Sequence, residues 1–224
     1  MNAKDYYNRA RNHPKDLVAD KIEDFSMAIK LEPRFWEAYQ HRGQLYLDAK
    51  RYIEAIADFS VLIDNDEGNA IVYRLRGLCY MRQRAYDLAL DDLSTSIKLN
   101  PQSPSAHFTR GLIHDYRGDM RAALVEYDHT LQLTPYNASA LNNRAYIYAQ
   151  LGDYEPALES VGRALRYQPN NPNYLDTRAF IHFRIGHYRD AIADYEAVLD
   201  IEPFHQLARE YRELALGALY TANS

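Results

Sequence analysis

Arginine and carboxylate residues recur along this chain with a spacing of 34 residues, and they are the side chains best suited to charge chemistry. The arginines are Arg42, Arg76, Arg110, Arg144, Arg178 and Arg212. The carboxylates, each eighteen residues before one of them, are Asp24, Asp58, Asp92, Glu126 and Asp194, with Ser160 at the position of a sixth. Because the planar guanidinium binds a carboxylate through two parallel hydrogen bonds, the two series predict a ladder of partly buried ion pairs between neighbouring helices. A basic surface for an acidic ligand is the alternative, and the spacing leaves open in which direction each arginine pairs.

The other reactive side chains form no recognisable catalytic or metal-binding pattern. The single cysteine, Cys79, excludes an internal disulfide and a cysteine-based metal cage. His107, His114 and His182 stand at positions where other repeats carry aromatic or aliphatic residues, which favours packing over metal binding. No nucleophile motif surrounds any serine, and no glycine-rich phosphate loop is present. We therefore expect no metal, no cofactor and no enzymatic activity.

Composition and charge narrow the class of partner. The chain is 47% hydrophobic and 25% charged, which is typical of a soluble globular protein. Its formal net charge of -5 argues against nucleic acid, because binding to a phosphate backbone needs a basic surface. The sequence contains no run of about 18 apolar residues, so it predicts no membrane span. The first residues lack the apolar core of a signal peptide, so a cytoplasmic location is expected.

The elements that position these residues repeat with the same period. An aromatic residue or methionine recurs every 34 residues at Tyr52, Tyr86, Met120, Tyr154 and Tyr188. Proline marks the period independently at Pro33, Pro101, Pro135, Pro169 and Pro203, with Glu67 at the one missing position. A fixed period of this size indicates a repeat array. We divide the chain into repeats 1 to 5 at residues 36–69, 70–103, 104–137, 138–171 and 172–205.

Within each repeat, the apolar positions predict two helices joined by a turn near position fifteen. Position eight is small, at Gly43, Gly77, Gly111, Ala145 and Ala179. Position twenty is always alanine, and position twenty-four carries Phe59, Leu93, Tyr127, Val161 and Tyr195. These spacings match the 3.6-residue helical period. The small residues let two helix axes approach closely, and a larger side chain there would cost about 1–3 kcal/mol.

These columns resemble the tetratricopeptide repeat (TPR) family over nearly the whole chain. The resemblance implies an all-α solenoid, a right-handed superhelix of antiparallel helix pairs. Residues 1–35 are then a degenerate N-terminal repeat, and residues 206–224 a C-terminal capping helix with Tyr211, Leu214, Ala215 and Leu219 facing inward. The chain departs from the family at position seven, which is usually leucine there and is arginine in every repeat here.

In this family the first helices line a concave face, so the resemblance implies a protein or peptide partner bound there. The candidate residues are Arg74, Phe108, Tyr116, Asn142, Asn143, Tyr146, Phe180, Phe183 and Arg184. Aromatic residues flanked by amides and arginine are typical of binding hot spots. Packing of the aromatic residues on one another or under the terminal helix is the alternative. The carboxylate clamp of chaperone-binding TPR domains is missing, because only Asn143 matches one of its positions.

The sequence therefore predicts a non-catalytic scaffold or adaptor that holds a partner peptide or helix in its groove. Two further interpretations stay open: a homo-oligomer that associates through exposed helix faces, and the regulatory repeat portion of a larger enzyme. An RNA-binding helical repeat fits less well, because the chain is acidic and its columns are those of the TPR family.

Overall fold

The computed structural model describes residues 1–222, in which α-helix is the only regular secondary structure besides turns. The helices are α1 (Ala3–Asn12), α2 (Val18–Leu31), α3 (Trp36–Asp48), α4 (Tyr52–Asp64), α5 (Ala70–Arg82), α6 (Tyr86–Leu99), α7 (Pro104–Tyr116), α8 (Met120–Leu133), α9 (Ala138–Leu151), α10 (Tyr154–Tyr167), α11 (Pro172–Arg184), α12 (Tyr188–Ile201) and α13 (Gln206–Ala222). The chain divides into two compact units, unit 1 (Met1–Ile113) and unit 2 (from His114 onward). Among these helices, none is both long and apolar enough to cross a bilayer.

Local capping chemistry explains where several first helices begin. The side chain of Asn69 accepts hydrogen bonds from the first turn of α5, and Asn137 does the same for α9. Asn171 caps α11, whose first residue is Pro172. Asparagine satisfies backbone N–H groups that the helix leaves without partners, and proline at the first helical position has no N–H to satisfy. The helix starts are thus specified by residues next to each boundary.

The turn between the two helices of each repeat places position fifteen in the left-handed region. Gly118, Gly152 and Gly186 adopt φ angles of 79°, 88° and 81° there. Lys50 and Arg84 hold the same position in repeats 1 and 2, with φ angles of 60° and 61°. A residue with a Cβ pays about 1–2 kcal/mol for this conformation. The turn is therefore imposed by the packing of the helices, whichever residue occupies it.

Close helix contacts form the core of unit 1. Ala55 and Phe59 of α4 are completely buried and pack with Val72 of α5. A Cβ atom on Gly43 would lie 2.8 Å from Cε1 of Phe59. One on Gly77 would lie 3.1 Å from the Cγ atom of a leucine in α6. The glycines at position eight thus allow a large side chain at position twenty-four to fill the interface without a void.

Each helix packs against its neighbours along the chain within each unit. This holds for α1 to α6 in unit 1 and for α8 to α13 in unit 2. The first helices of successive repeats also touch, since α3 contacts α5, α9 contacts α11, and α11 contacts α13. Each unit therefore presents a face made of first helices, which we call the first-helix face.

The terminal helix α13 contacts α11 and α12. Ala215 is completely buried, and Tyr211 and Leu219 are half-buried, as expected for the inward side. The expectation for Leu214 is wrong, because its side chain is 57% exposed. Leu214 lies one residue from Ala215, a step of about 100° around a helix, and this step turns it away from the packed side.

Candidate functional site

Three of the arginines at position seven bind a carboxylate of their own repeat, sixteen residues further along the chain. A two-bond arrangement joins the pairs Arg42–Asp58, Arg76–Asp92 and Arg178–Asp194. In the second pair, Nε and Nη2 of Arg76 each donate to one oxygen of Asp92 over 2.8 Å. The remaining nitrogen, Nη1, donates to Oγ of Ser60 in the preceding repeat over 3.0 Å. The hydrogen bond to Asp92 raises the pKa of Arg76. Arg76 thus joins two successive second helices, as Arg42 does through Asp58 and Ser26.

Repeat 4 exchanges the two kinds of partner. Its position for the carboxylate holds Ser160, to whose Oγ the Nε atom of Arg144 donates over 3.2 Å. The position that carries Ser60 in repeat 1 holds Asp128 in repeat 3, and Nη1 of Arg144 donates to its Oδ1 over 2.8 Å. Arg144 therefore also binds one carboxylate and one hydroxyl. Here the carboxylate comes from the preceding repeat and the hydroxyl from the repeat of the arginine itself. Helix α8 also carries the predicted ladder carboxylate Glu126, which is buried.

The N-terminal repeat has the same arrangement. Arg9 donates from Nε and Nη2 to the two oxygens of Asp24, and Nε2 of His13 lies 3.1 Å from this carboxylate. The hydrogen bond from Arg9 lowers the pKa of Asp24, and the contact with His13 acts in the same direction. In repeat 3, Arg110 donates from Nη1 to Oγ of Ser94 over 3.3 Å.

Arg212 does not extend the ladder in the way the spacing suggests. Asp194, eighteen residues before it, has both oxygens bound by Arg178 of its own repeat. Arg212 instead donates to Oε1 of Glu213 over 2.6 Å, and its buried Nε has no hydrogen-bond partner among residues 1–222. The sequence left the direction of pairing open, and the structure pairs Asp194 with Arg178 on the adjacent helix of the same repeat.

Two of the predicted groove aromatics pack against the terminal helix. The ring of Phe180 lies 6.4 Å from that of Tyr211, and the ring of Phe183 lies 5.8 Å from it, both edge to face. Tyr146 lies 6.0 Å from Phe180 and remains 43% exposed. Phe180 and Phe183 thus pack against the terminal helix, which was the alternative interpretation of these aromatic residues. Tyr146 keeps part of its ring exposed to solvent.

The remaining candidates differ in accessibility. Tyr116 is 58% exposed in the last turn of α7, and Phe108 is half-buried. Asn142 is buried, and its Oδ1 atom has no hydrogen-bond partner in the described part of the chain. The Nδ2 atom of Asn143 donates to the hydroxyl of Tyr127 over 3.3 Å. Asn143 therefore already uses one donor within the protein.

The two candidate arginines have different surroundings. Cζ of Arg184 lies 5.6 Å from the centre of the Phe180 ring, a cation–π distance. Arg74 is half-buried, and no carboxylate of the described residues pairs with it. Burial lowers the pKa of Arg74, because removing the guanidinium from water disfavours its charged form. Among the described residues, Arg74 is thus a charged group without a carboxylate partner.

A cavity opens on the first-helix face of each unit. The unit 1 cavity, of about 410 Å³, is lined by Gln44, Leu47, Asp48, Lys50, Tyr52, Arg74, Leu75, Leu78 and Arg82. The unit 2 cavity, of about 170 Å³, is lined by Tyr146, Asp176, Thr177, Phe180, Tyr195, Leu207 and Tyr211. Both cavities use position nine of one repeat and positions five, six and nine of the next. The repeat geometry thus produces the same opening in both units with different side chains.

Five residues of the unit 2 cavity were missing from the predicted site: Asp176, Thr177, Tyr195, Leu207 and Tyr211. Tyr195 belongs to the core column at position twenty-four, and Tyr211 was assigned to capping. Asp176 stands at position five, where the other repeats have no acidic residue. The sequence therefore contained a signal for Asp176, because it is the one acidic residue at position five of repeats 1 to 5.

One group of potential metal ligands occurs among the described residues. Side-chain atoms of His182, His187 and Asp190 lie within 4.8 Å of one another. The two imidazole rings are stacked, with centres 5.9 Å apart and planes at 22°. Nitrogen lone pairs lie in the ring plane, so nearly parallel rings do not direct them at a common ion. Burial lowers the pKa of His182, consistent with a packed neutral ring.

Tandem helix pairs whose first helices form one face of each unit define a helical-repeat protein. Models described as tetratricopeptide repeat match residues 145–216 in one case, and residues 22–70 and 108–173 in another. The second match covers just over half of the chain. The chain therefore belongs to the tetratricopeptide repeat family, and its fold is the all-α repeat fold of that family.

Comparison with solved structures shows the same fold at low sequence identity. A tetratricopeptide repeat protein from Parabacteroides merdae matches with a TM-score of 0.76 at 18% identity, over 99% of this chain and 92% of that one. The structure of the APC/C hetero-tetramer Cut9–Hcn1 matches with 0.76 at 20% identity, over 90% of this chain, which spans 40% of that one. YrrB, described as a TPR protein with an unusual peptide-binding site, matches with 0.66 at 24% identity, over 78% and 90%. Comparison with curated protein sequences gives no match.

Proposed function

We propose that this chain is a non-catalytic interaction scaffold that binds a segment of a partner protein along its first-helix face. The observation that carries the proposal is the cavity that opens at equivalent repeat positions in both units. Cavities at corresponding positions suit a chain segment that meets successive repeats, as an extended peptide or a helix in a groove does. The description of YrrB as peptide-binding concerns that protein and supports the same role for this one.

The chemistry of the lining residues supports a polypeptide ligand. The half-buried guanidinium of Arg74 lines the unit 1 cavity and has no carboxylate partner among the described residues. A carboxylate of a partner protein would bind it through two parallel hydrogen bonds. Tyr146 brings a partly exposed ring to the unit 2 cavity. Tyrosine and arginine are the residue types enriched at binding hot spots. Each unit thus offers its own contact for a polypeptide, a charged one in unit 1 and an aromatic one in unit 2.

The state of the single cysteine supports a non-catalytic role. Cys79 is completely buried in α5, and burial raises the pKa of its thiol to about 12. The thiolate is the nucleophilic form of cysteine, so this side chain is unreactive at neutral pH.

Truncating Arg74 or Tyr146 to alanine is expected to weaken peptide binding about tenfold or more, because each truncation removes contacts worth roughly 1–3 kcal/mol. Phage-displayed 12-residue peptides are selected on the purified protein, and their affinities are measured for the Arg74→Ala and Tyr146→Ala variants. Leu88→Ala is the matched control, since Leu88 is exposed on the second helix α6. Peptides that bind both anchor variants like the unchanged protein, but lose affinity for Leu88→Ala, would contradict the proposal.

Exposed apolar residues around α13 favour self-association as a second candidate function. Phe204, just before α13, is 92% exposed, and Leu214 and Tyr220 also lie largely in solvent. Apolar surface of this kind is typical of protein interaction sites.

If α13 mediates self-association, the molar mass measured by light scattering is expected to rise with protein concentration. The Leu214→Glu variant is then expected to remain a monomer, because a buried carboxylate would oppose the contact. Leu88→Glu makes the same change on α6 and is expected to associate like the unchanged protein. A monomer at all concentrations would eliminate this candidate.

A further inference from the structure

The unit 2 cavity brings aromatic rings together with a carboxylate. The rings of Tyr146, Phe180 and Tyr211 line it from α9, α11 and α13. Phe180 lies between the other two, with centres 6.0 Å and 6.4 Å from theirs. Asp176 lines the same cavity, one helical turn before Phe180 on α11. Ring faces carry negative charge density, so rings and carboxylate together make the cavity electronegative.

The carboxylate of Asp176 has no partner within the part of the chain that the structure describes. No hydrogen bond or ion pair joins it to a residue there, whereas the ladder residue Asp194 accepts two bonds from Arg178. Asp176 is half-buried, and burial raises its pKa. The neighbouring charges of His205 and Glu202 act on that pKa in opposite directions. A half-buried carboxylate without a donor is costly, and a bound donor would remove the cost.

A second polar group in the cavity also lacks a partner. Tyr195 is 1% exposed, and its hydroxyl has no hydrogen-bond partner among residues 1–222. Burial raises the pKa of Tyr195, and the charge of Asp176 raises it further, so the hydroxyl stays protonated. A phenolic oxygen can accept a hydrogen bond from an N–H donor, and an ammonium group offers three such donors. A buried polar atom left without a partner is unusual in folded proteins and points to a ligand.

We propose that the unit 2 cavity binds one cationic side chain of the partner, an ammonium or a guanidinium group. The inference rests on the proposed function, because it names the chemistry of the segment that the first-helix face would bind. At about 170 Å³ the cavity is smaller than the roughly 300–1,000 Å³ of pockets for whole small molecules, so it suits a single side chain. Arg184 already rests over the Phe180 ring without lining the cavity, which shows that this ring accepts a cation.

Other ligand classes fit the unit 2 cavity less well. An anionic group would be repelled by Asp176. A neutral apolar side chain would pack on the rings but remove Asp176 further from water without providing a donor. A cation pairs with the carboxylate, donates to Tyr195 and lies against the rings, and thus satisfies every unpartnered group that lines the cavity.

The proposal is tested with blocked amino acids, which require no knowledge of the partner. N-acetyl methylamides of lysine, arginine and norleucine are titrated into the ¹⁵N-labelled full chain and followed by NMR. The cationic probes are expected to shift the amide signals of α9, α11 and α13 around Tyr146, Asp176 and Phe180. Norleucine, which has the lysine stem without the charge, is expected to bind at least tenfold more weakly. Comparison of lysine with arginine distinguishes the two sources of positive charge.

Matched variants separate charge from packing. Asp176→Asn keeps the shape of the side chain and removes its charge, and it is expected to lower affinity for the cationic probes at least tenfold without lowering thermal stability. Asp200→Asn makes the same change at an exposed position of α12 and is expected to bind like the unchanged protein. Equal binding of norleucine and lysine, or full binding by Asp176→Asn, would overturn the inference. Failure here leaves the phage-peptide result unaffected, and loss of peptide binding with cation binding intact would overturn only the proposed function.

Discussion

Replacing Asp92 with alanine is expected to lower the free energy of unfolding by about 3–5 kcal/mol, the largest effect predicted for any single change considered in this protein. The carboxylate accepts two bonds from Arg76, and the Arg76 side chain is only 16% exposed. Without Asp92 the guanidinium retains the hydrogen bond to Ser60 and the contacts with the rings of Tyr73 and Tyr80, but no counter-charge. A charge held out of water without a counter-charge costs far more than the net gain from an intact pair.

Two controls identify the cause of this loss. The double variant Arg76→Met/Asp92→Leu removes both charges and is expected to recover most of the stability, since apolar replacements of a buried pair are often neutral. Glu54→Ala breaks an exposed pair with Arg51, 2.8 Å apart, and is expected to cost less than about 1 kcal/mol. Urea denaturation measures all three variants, and hydrogen exchange in α5 and α6 locates the effect. An unchanged midpoint for Asp92→Ala would show that the pair does not stabilise the fold.

The second large effect is expected at Gly43, where valine should destabilise the protein by about 1–3 kcal/mol. The first added atom would lie 2.8 Å from Cε1 and 3.1 Å from Cζ of Phe59. Phe59 is completely buried, so its ring has no open space into which it can move. Helix α3 must therefore shift away from α4, which also strains the contact between Arg42 and Asp58. Thermal denaturation followed by circular dichroism measures the change.

The matched control for Gly43 is another helical glycine. A Cβ atom on Gly162 of α10 would meet nothing within 4 Å. Gly162→Ala is therefore expected to stabilise the protein by up to about 1 kcal/mol, because alanine has the higher helix propensity. Gly43→Val and Gly162→Ala thus change stability in opposite directions. If Gly43→Val were as stable as the unchanged protein, close approach of α3 and α4 would not explain the small residue at position eight.

The fold follows from the sequence because its signals are local and repeated. The alanine at position twenty and the paired small and bulky positions, such as Gly43 with Phe59, recur in every repeat, so no single ambiguous residue decides the result. The tetratricopeptide repeat family and its all-α fold are accordingly confirmed. The side of α13 on which Leu214 lies was predicted wrongly, because a single terminal helix has no repeated columns to define its register.

The site depends on contacts that spacing alone does not specify. Arg42, Arg76 and Arg110 each have a carboxylate on either side in sequence. Only the packing of the two helices of one repeat selects the nearer one, as for Arg76. Phe180 and Phe183 occupy ligand-facing positions, yet Tyr211 packs against both. Asp176 is of interest because its carboxylate has no hydrogen-bond or ion-pair partner among the described residues. The sequence does not reveal this, because it does not give the positions of the neighbouring side chains.

Arg144 takes its carboxylate, Asp128, from repeat 3 and its hydroxyl, Ser160, from repeat 4. The pairing of these two repeats is therefore disturbed when only one of them is duplicated or lost. Loss of residues 138–171 would bring Asp128 to an arginine that already holds Asp194, with two carboxylates on one guanidinium. Loss of residues 104–137 would leave Arg144 between hydroxyl groups alone. An unequal crossover that involves repeat 3 or repeat 4 therefore keeps one carboxylate on each of these arginines only if it duplicates or deletes the two repeats together. The smallest duplication or loss that preserves these pairs at this junction therefore comprises 68 residues, two 34-residue periods.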